Sequence, residues 1–383
     1  MEEDYGLKAL IGNILHKGIG HGNPASKAPY KPVERATAAF EMTRPILTIM
    51  GTALIATGAV LAIQTIPPIL KIIYGIICAF LANCYIHTFN DFSDRERDKQ
   101  VWPNRALPTK RISPQNALIL SICYFILAVG LTAIFFNITT GIIILISLSL
   151  GTLYTVFLRD RVGYLVLPFI VGIHPLGGWA AFSPHTLFKN PLPWILYALI
   201  FFWQAGHIMI HSTLHPVKEV NGRRITQVKG LFFTTTPRQA ATLGFIFLFM
   251  TFCISIYLYF IAPLGYIYIV VALLSAIYAL IPSIRLIKEP ENIQRALHAF
   301  NAASLYSLIL CFFVLVDVLV YKVLWEYLVS FYNLLRFNIG LWMFPLIIAG
   351  IATIFGLTFF GIFILDAIIK WFMKQREFSL NNR

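Results

Sequence analysis

Charge is scarce in this chain. Asp, Glu, Lys and Arg make up 12% of its 383 residues and hydrophobic residues 58%, where a soluble domain carries about a quarter charged and roughly half apolar residues. Acidic residues are the scarcer sign, 17 against 30 Lys and Arg. The five cysteines, Cys78, Cys84, Cys123, Cys253 and Cys311, lie inside apolar runs and form no CxxC pair. That excludes a cysteine metal cluster or a disulfide framework and predicts buried structural thiols. No low-complexity segment occurs, and no polar stretch is long enough for a soluble domain. No secretory leader is expected, because the first long apolar run starts near Pro45, behind a basic arm, without a small-residue cleavage pattern.

What is abundant is long apolar runs, each near the ~20 residues that span a hydrocarbon core. They predict spans near 45–66, 68–89, 115–136, 139–158, 163–183, 193–213, 239–261, 264–287, 303–322 and 340–370. The fold class is therefore an all-α membrane protein. Residues 1–44 form a basic N-terminal arm, residues 45–322 a nine-helix core, and residues 323–383 a C-terminal extension with a tenth transmembrane helix. Leu7, Leu10, Ile11, Ile14 and Leu15 form one face of a short interfacial helix or belong to a disordered tail. Trp325, Tyr327, Tyr332 and Trp342 suit a membrane interface.

The formal charge of +13 does not imply a nucleic-acid partner, since the basic residues lie between apolar runs and not on one soluble face. With the N-terminus in the cytoplasm, the loops Arg95–Arg111, Arg159–Arg161, Lys218–Arg238 and Arg285–Arg295 all fall on the cytoplasmic side, and the opposite loops carry only Lys189, Lys322 and Arg336. This is a positive-inside pattern. The two longest polar loops, 90–114 and 214–238, are four spans apart, which suggests an internal duplication.

The first of these loops carries a chemical constellation. If the second helix continues past the membrane, Asn83, His87, Asn90, Asp94 and Asp98 share one face. Carboxylates four residues apart repel, and a cation between Asp94 and Asp98 removes that cost. Oxygen ligands suit Mg²⁺, which takes one or two carboxylates, waters and substrate phosphates. Such an ion binds a diphosphate and neutralises it as it leaves. Arg105, Lys110 and Arg111 follow as cations for the remaining phosphate oxygens. The plain alternative is a solvated helix end in which Arg95 and Arg97 make surface pairs.

The string Asn90-Asp91-x-x-Asp94-x-x-x-Asp98, followed by Pro103-Asn104-Arg105-Ala106-Leu107-Pro108, resembles the first aspartate-rich motif of the UbiA superfamily of intramembrane prenyltransferases, with Ala106 where that family usually has proline. The resemblance implies a nine-helix bundle with its active site at the cytoplasmic helix ends. It also implies Mg²⁺-dependent binding of an isoprenyl diphosphate, with Asn90, Asp91, Asp94 and Asp98 as the metal set and a lipophilic acceptor drawn from the lipid bilayer.

The family's second aspartate motif follows the sixth helix. Here that place reads His207, His211, His215 and Glu219 at four-residue spacing, with Pro216 interrupting and Lys218, Arg223 and Arg224 beside them, and it holds no aspartate. Three readings stay open: a His/Glu metal site, better suited to Zn²⁺ or Fe than to Mg²⁺; direct diphosphate binding by the basic residues; or a lapsed site. Two further stretches, Leu153 to Arg161 and His174-Pro175-Leu176-Gly177-Gly178-Trp179-Ala180-Ala181, are similar to the haem O synthase branch, as is Phe202 to His207. His174 and Gly206 stand where that branch has proline, and the run Pro103 to Ser113 looks more like the lipid and chlorophyll branches.

The expected chemistry is ionisation of an allylic diphosphate at Asp94 and Asp98. Arg105, Lys110, Arg111, Arg159, Arg161, Lys218 and Arg223 are the candidate phosphate partners, and Tyr154 faces the carbocation or is an interfacial tyrosine. The prenyl tail is expected between helices, in an apolar groove lined by phenylalanines, of which the chain has 32. The acceptor is haem B, with His207 or His211 orienting its iron, or else a quinone precursor, an ether lipid or a chlorophyll-type molecule. A terpene cyclase of the same fold is a second possibility and a transporter a third. Transporters place ionisable groups near the midplane, whereas here the spans hold little beyond His174 and Asp317.

Overall fold

The computed structural model describes residues 30–214, 218–220, 223–225, 235–318 and 320. The helices are α1 (Pro32–Thr43), α2 (Pro45–Ile63), α3 (Ile69–Val101), α4 (Pro114–Phe135), α5 (Ile138–Leu153), α6 (Leu167–Phe182), α7 (Leu192–Ser212), α8 (Pro237–Ile261), α9 (Tyr266–Lys288) and α10 (Ile293–Val318). Among the described residues, eight helices are long and apolar enough to cross a membrane, and the bent pair Pro32–Thr43 and Leu47–Ile63 brings the number to nine. The expected tenth span, the Leu7–Leu15 face and the Trp325–Trp342 aromatics lie outside the described residues. The fold is the expected all-α bundle with one small addition: the strands β1 (Lys218–Val220) and β2 (Arg223–Ile225) pair antiparallel after α7.

Each helix from α2 to α10 packs on its sequence neighbour and α10 returns to α2, which closes a ring. Two further contacts, α2 with α6 and α7 with α10, cross its middle. The α2–α6 crossing depends on glycine. A Cβ on Gly178 would stand 1.8 Å from the Ile55 carbonyl oxygen, and one on Gly58 would stand 2.0 Å from that of Pro175. Association between helices in lipid comes from such close backbone approach, because burial of apolar surface contributes little there. Outward faces stay apolar, with Ile126, Ile134 and Phe260 all exposed, as lipid contact requires. Two of the expected buried thiols, Cys123 and Cys253, are on this outer surface, while Cys78, Cys84 and Cys311 are buried.

The second helix is longer than its apolar run. The expected span ends at residue 89, but α3 continues unbroken to Val101 and carries the acidic string with it. α10 likewise starts at Ile293, ten residues before its expected apolar start. Asp317, the in-span carboxylate, has a structural role. It is fully buried and accepts hydrogen bonds from the backbone N–H groups of Gly265 (2.5 Å) and Tyr268 (3.0 Å), capping the start of α9 where helix donors lack partners.

Candidate functional site

The site begins at a break. Pro45 disfavours helical geometry at the residue before it, and Arg44 takes a left-handed conformation, φ 46°, between α1 and α2. The carbonyls exposed there are met by Asn83 of α3, whose Nδ2 donates to Thr43 (2.7 Å) and Arg44 (3.4 Å). The break aims the Arg44 guanidinium at Asp91, with which it forms a close ion pair.

Asp91, Asp94 and Asp98 follow at helical spacing on the far end of α3, only 3%, 3% and 1% exposed. Charge buried to that degree persists only when it is paired. Arginines from four places supply the pairing. Arg44 meets Asp91. Arg105, from the loop after α3, reaches Asp98 at 2.7 Å and Asp91 at 3.4 Å. Arg97 meets Asp94 at 2.7 Å. Arg159 grips both oxygens of Asp94, at 2.7 and 2.5 Å. Four guanidiniums against three carboxylates leave the cluster net positive.

The cluster is incompletely satisfied. The Nε atoms of Arg44, Arg105 and Arg159 and the Oδ1 of Asp98 are buried without a hydrogen-bond partner. Buried polar atoms are nearly always paired in native proteins. Three free donors and one free carboxylate oxygen in one place fit a ligand that brings both anionic oxygens and a cation.

Arg159 arrives through an irregular turn. α5 continues into a π-helical turn, Tyr154–Leu158, in which the Arg159 N–H bonds to the Tyr154 carbonyl, and then into Arg159–Arg161. The extra residue rotates Arg159 toward Asp94, and such π-turns are frequent at functional sites. Tyr154 is buried at the start of this turn, within electrostatic reach of Arg159 and Asp94.

Other expected site residues are placed differently. Arg111 does not join the cluster: it is buried in an ion pair with Glu41 of α1 at 2.8 Å, and it also donates to the Asn104 carbonyl and to Thr109 Oγ1. It fastens the loop to α1. Lys110 is exposed in a left-handed turn, and Arg161 is exposed with its guanidinium over the Phe157 ring, 3.5 Å from the centroid. Asn90 is half-buried one turn before Asp94. Among the described residues, no three His, Cys, Asp or Glu side chains converge closely enough to hold a metal unaided.

The second constellation is packed, not gathered. His207 Nε2 is hydrogen-bonded to Ser304 Oγ of α10 at 3.0 Å, and its ring lies between Trp203 and Phe300. His211 also stands against Phe300. His215 lies outside the described residues. Lys218, Glu219 and Arg223 are on the β1–β2 pair, with Glu219 opposite Arg224 and Arg223 opposite Val220.

Beneath the acidic end runs an apolar cavity of about 220 Å³ between α2, α3, α4, α5 and α6. Its wall reaches from Asn83 and Thr48 to Lys71 and Phe136. The expected phenylalanine lining is absent. Ile, Ala, Gly and Thr dominate, and Phe136 and Phe182 are the two aromatics in the wall. Small side chains leave the space that phenylalanine would fill. Arg44 and the small-residue lining of this cavity are the parts that sequence reasoning missed. The Arg44-Pro45 pair, a cation at a forced helix break, is the signal that was available.

Residues 49–305 match the UbiA prenyltransferase family model. Similar sequences include protoheme IX farnesyltransferases. The one from Leptospira interrogans is 28% identical over 290 residues, 73% of this chain and 96% of the relative. The one from Microcystis aeruginosa is 28% identical over 292 residues, 74% and 89%. Among solved structures, a digeranylgeranylglyceryl phosphate synthase aligns with a TM-score of 0.59 at 20% identity, covering 74% of this chain and 99% of that one. A UbiA homologue from Archaeoglobus fulgidus bound to DMAPP and Mg²⁺ aligns with a TM-score of 0.53 at 16% identity, covering 73% and 99%. The nine-helix ring, the arginine-bound aspartates on α3 and the family match lead to one conclusion: this chain is a multi-pass integral membrane protein and a prenyltransferase of the UbiA family.

Proposed function

We propose that the protein transfers an isoprenyl group, with farnesyl as the first candidate, from its diphosphate to haem B, making haem O. The observation that carries the diphosphate half is the cluster of three buried aspartates and four arginines, three of the arginines with an unpartnered Nε donor, on the stretch of α3 that follows the Asn83 end of an apolar cavity. The haem half rests on the relatives named protoheme IX farnesyltransferase.

The donor set suits Mg²⁺. It is all oxygen, Asp98 Oδ1 is unpartnered, and a cation that completes its shell with phosphate oxygens and water needs no three-residue cage. Asp94 and Asp98, with Asn90 and Asp91 adjoining, would hold the ion. Bound there, Mg²⁺ neutralises the charge of the leaving diphosphate.

The protein's own contribution is an exchange of partners. In the resting arrangement Arg44, Arg105 and Arg159 hold the carboxylates. With substrate present, their unpartnered Nε donors and forked guanidiniums turn to phosphate oxygens, which they match bidentately. Lys218 and Arg223, on the hairpin after α7, are two further candidate phosphate partners. The allylic C–O bond breaks, and the diphosphate departs with the electron pair. The Tyr154 ring face steadies the allylic cation. A vinyl carbon of the acceptor bonds to the allylic carbon, water adds to the resulting cation, and a proton is lost. The cavity houses the hydrocarbon of the substrates away from water. The Lys and Arg distribution supports a cytoplasmic N-terminus and a cytoplasmic site, with residues 45–322 as the proposed catalytic core.

The test is farnesyl diphosphate, haem B and Mg²⁺ with the protein in nanodiscs, read by mass. Farnesylated haem that disappears in Asp94→Asn/Asp98→Asn supports the reading. Diphosphate release without a haem product rejects the acceptor and keeps the transferase. No reaction with any prenyl length rejects both.

A further inference from the structure

Two aromatic rings stand at the end of the cavity away from the aspartates. Phe136 follows α4 at the corner that leads into α5, and its ring reaches both neighbouring walls. On one side it meets α3, where a Cβ on Gly75 would stand 3.7 Å from Phe136 Cζ. On the other it packs edge-on against Phe182, the last residue of α6, with ring centroids 5.8 Å apart. Gly75, Phe136 and Phe182 all line the cavity. The rest of the wall is mostly Ile, Ala, Gly and Thr, so this pair is its bulkiest feature.

The corner that carries Phe136 is fastened from two helices. Asn137 Nδ2 donates to the carbonyls of Ala180 (2.9 Å) and Ala181 (3.2 Å) near the end of α6, and Asn137 Oδ1 accepts from the Thr140 N–H (2.9 Å) at the start of α5. From α3, Tyr74 stacks on Phe135 with centroids 4.2 Å apart. Lys71 donates to the Phe135 carbonyl, and its ammonium lies 5.2 Å from the Phe136 ring centroid, a cation–π contact that holds the ring in place. Lys71 is the one Lys, Arg, Asp or Glu in the cavity wall. A hydrocarbon that pushed past the ring would break this contact and take water from the ammonium, which is costly.

The distance from the aspartates to this barrier fits a chain of definite length. His87 is one turn before Asp91, and from His87 to Gly75 is twelve residues of α3, roughly 18 Å. The four main-chain bonds of an isoprene unit, each about 1.5 Å and set in zigzag, advance it by about 5 Å. Three units therefore extend about 15 Å and four about 20 Å.

We infer that Phe136, backed by Phe182 and Lys71, is the floor that sets prenyl chain length, admitting a farnesyl tail and stopping a geranylgeranyl one. The inference rests on the isoprenyl diphosphate reading of the α3 end and is independent of the acceptor.

The test is isothermal titration of non-hydrolysable geranyl, farnesyl and geranylgeranyl diphosphate analogues into the full-length protein in nanodiscs, with Mg²⁺ and without acceptor. Empty nanodiscs give the baseline for partition into lipid. The wild type is expected to bind the farnesyl analogue at least about tenfold more tightly than the geranylgeranyl one, the scale on which an apolar pocket rejects a misfit. Phe136→Ala should raise the geranylgeranyl-to-farnesyl affinity ratio by about tenfold or more. Gly75→Leu fills the space beside the ring from the α3 side and leaves the corner intact. It should weaken the farnesyl analogue by about tenfold and leave the geranyl analogue unchanged. If Phe136→Ala does not fold, Gly75→Leu decides alone. Inorganic diphosphate with Mg²⁺ reports the head site by itself and should bind the wild type and both variants alike. A wild type without length preference, or variants that keep the wild-type ratios, overturns the floor assignment while bound inorganic diphosphate keeps the head site. If neither the analogues nor inorganic diphosphate bind, the reading of the α3 end and this inference fall together.

Discussion

The ends of α3 and α7 invite comparison. Each closes a transmembrane helix with ionisable residues at one-turn spacing, and four helix crossings separate them. At the end of α3 the carboxylates are met by arginines from the α1–α2 break, from α3 itself, from the following loop and from the end of α5. At the end of α7 the histidines are met by Ser304 and a ring of aromatics. Spacing is the same in kind, but the partners differ. Charge gathered from distant elements, with donors left unsatisfied, marks a place where another charged molecule is expected. Histidines enclosed by aromatic packing, even with His207 Nδ1 left without a hydrogen-bond partner, mark a helix–helix contact.

The sharpest way to break this contrast is to neutralise the α3 end. Asp94→Asn/Asp98→Asn is expected to lower prenyl transfer by more than about 10³-fold, since single preorganised electrostatic groups are worth about 10²–10³. Turnover assays in nanodiscs check it. A stability effect comes next. Arg111→Ala leaves Glu41 buried and unpaired, which costs about 3–5 kcal/mol, visible as a lowered thermal midpoint. The double replacement Arg111→Met/Glu41→Leu should recover that midpoint and keep diphosphate binding, because Arg111 fastens the loop and does not hold phosphate. Arg159→Lys removes the two-pronged grip on Asp94 and is expected to cost about 10²-fold in kcat/KM, since a point charge does not replace a planar fork. The smallest effect is at the other end: His207→Ala should change diphosphate affinity by no more than about threefold, in keeping with a surface-like ΔΔG of about 0.5 kcal/mol. A large loss there would erase the contrast between the two ends.

Much of the fold was legible because the bilayer dictates it. Runs near 20 residues predict ten crossings, nine of them in residues 45–322; the described residues hold eight, or nine with the bent pair, and the tenth lies outside them. The extension of α3 beyond its apolar run was legible from the one-turn spacing of Asn90, Asp94 and Asp98. What was not legible depends on meetings in space. Nothing near Arg44 in the sequence announces Asp91, 47 positions away. Arg111 and Arg105 are alike as basic loop residues, and only the docking of α1 separates them. The π-turn that re-aims Arg159 has no composition of its own. The apolar groove was expected, but its lining of small residues was not. It exists where Gly51, Ala56, Gly75 and Gly177 leave space, and phenylalanine would have closed it. Asp317, one of the few ionisable residues noted inside the spans, is a helix cap.

The central claim is that diphosphate and Mg²⁺ together displace the arginine–aspartate pairing at the α3 end. Isothermal titration of a non-hydrolysable isoprenyl diphosphate analogue into nanodisc-embedded protein, with Mg²⁺ and with chelator, tests it directly. The account predicts binding that requires Mg²⁺, is lost in Asp94→Asn/Asp98→Asn and survives in His207→Ala. Binding that is equally tight in chelator, or unchanged by loss of both aspartates, would contradict it.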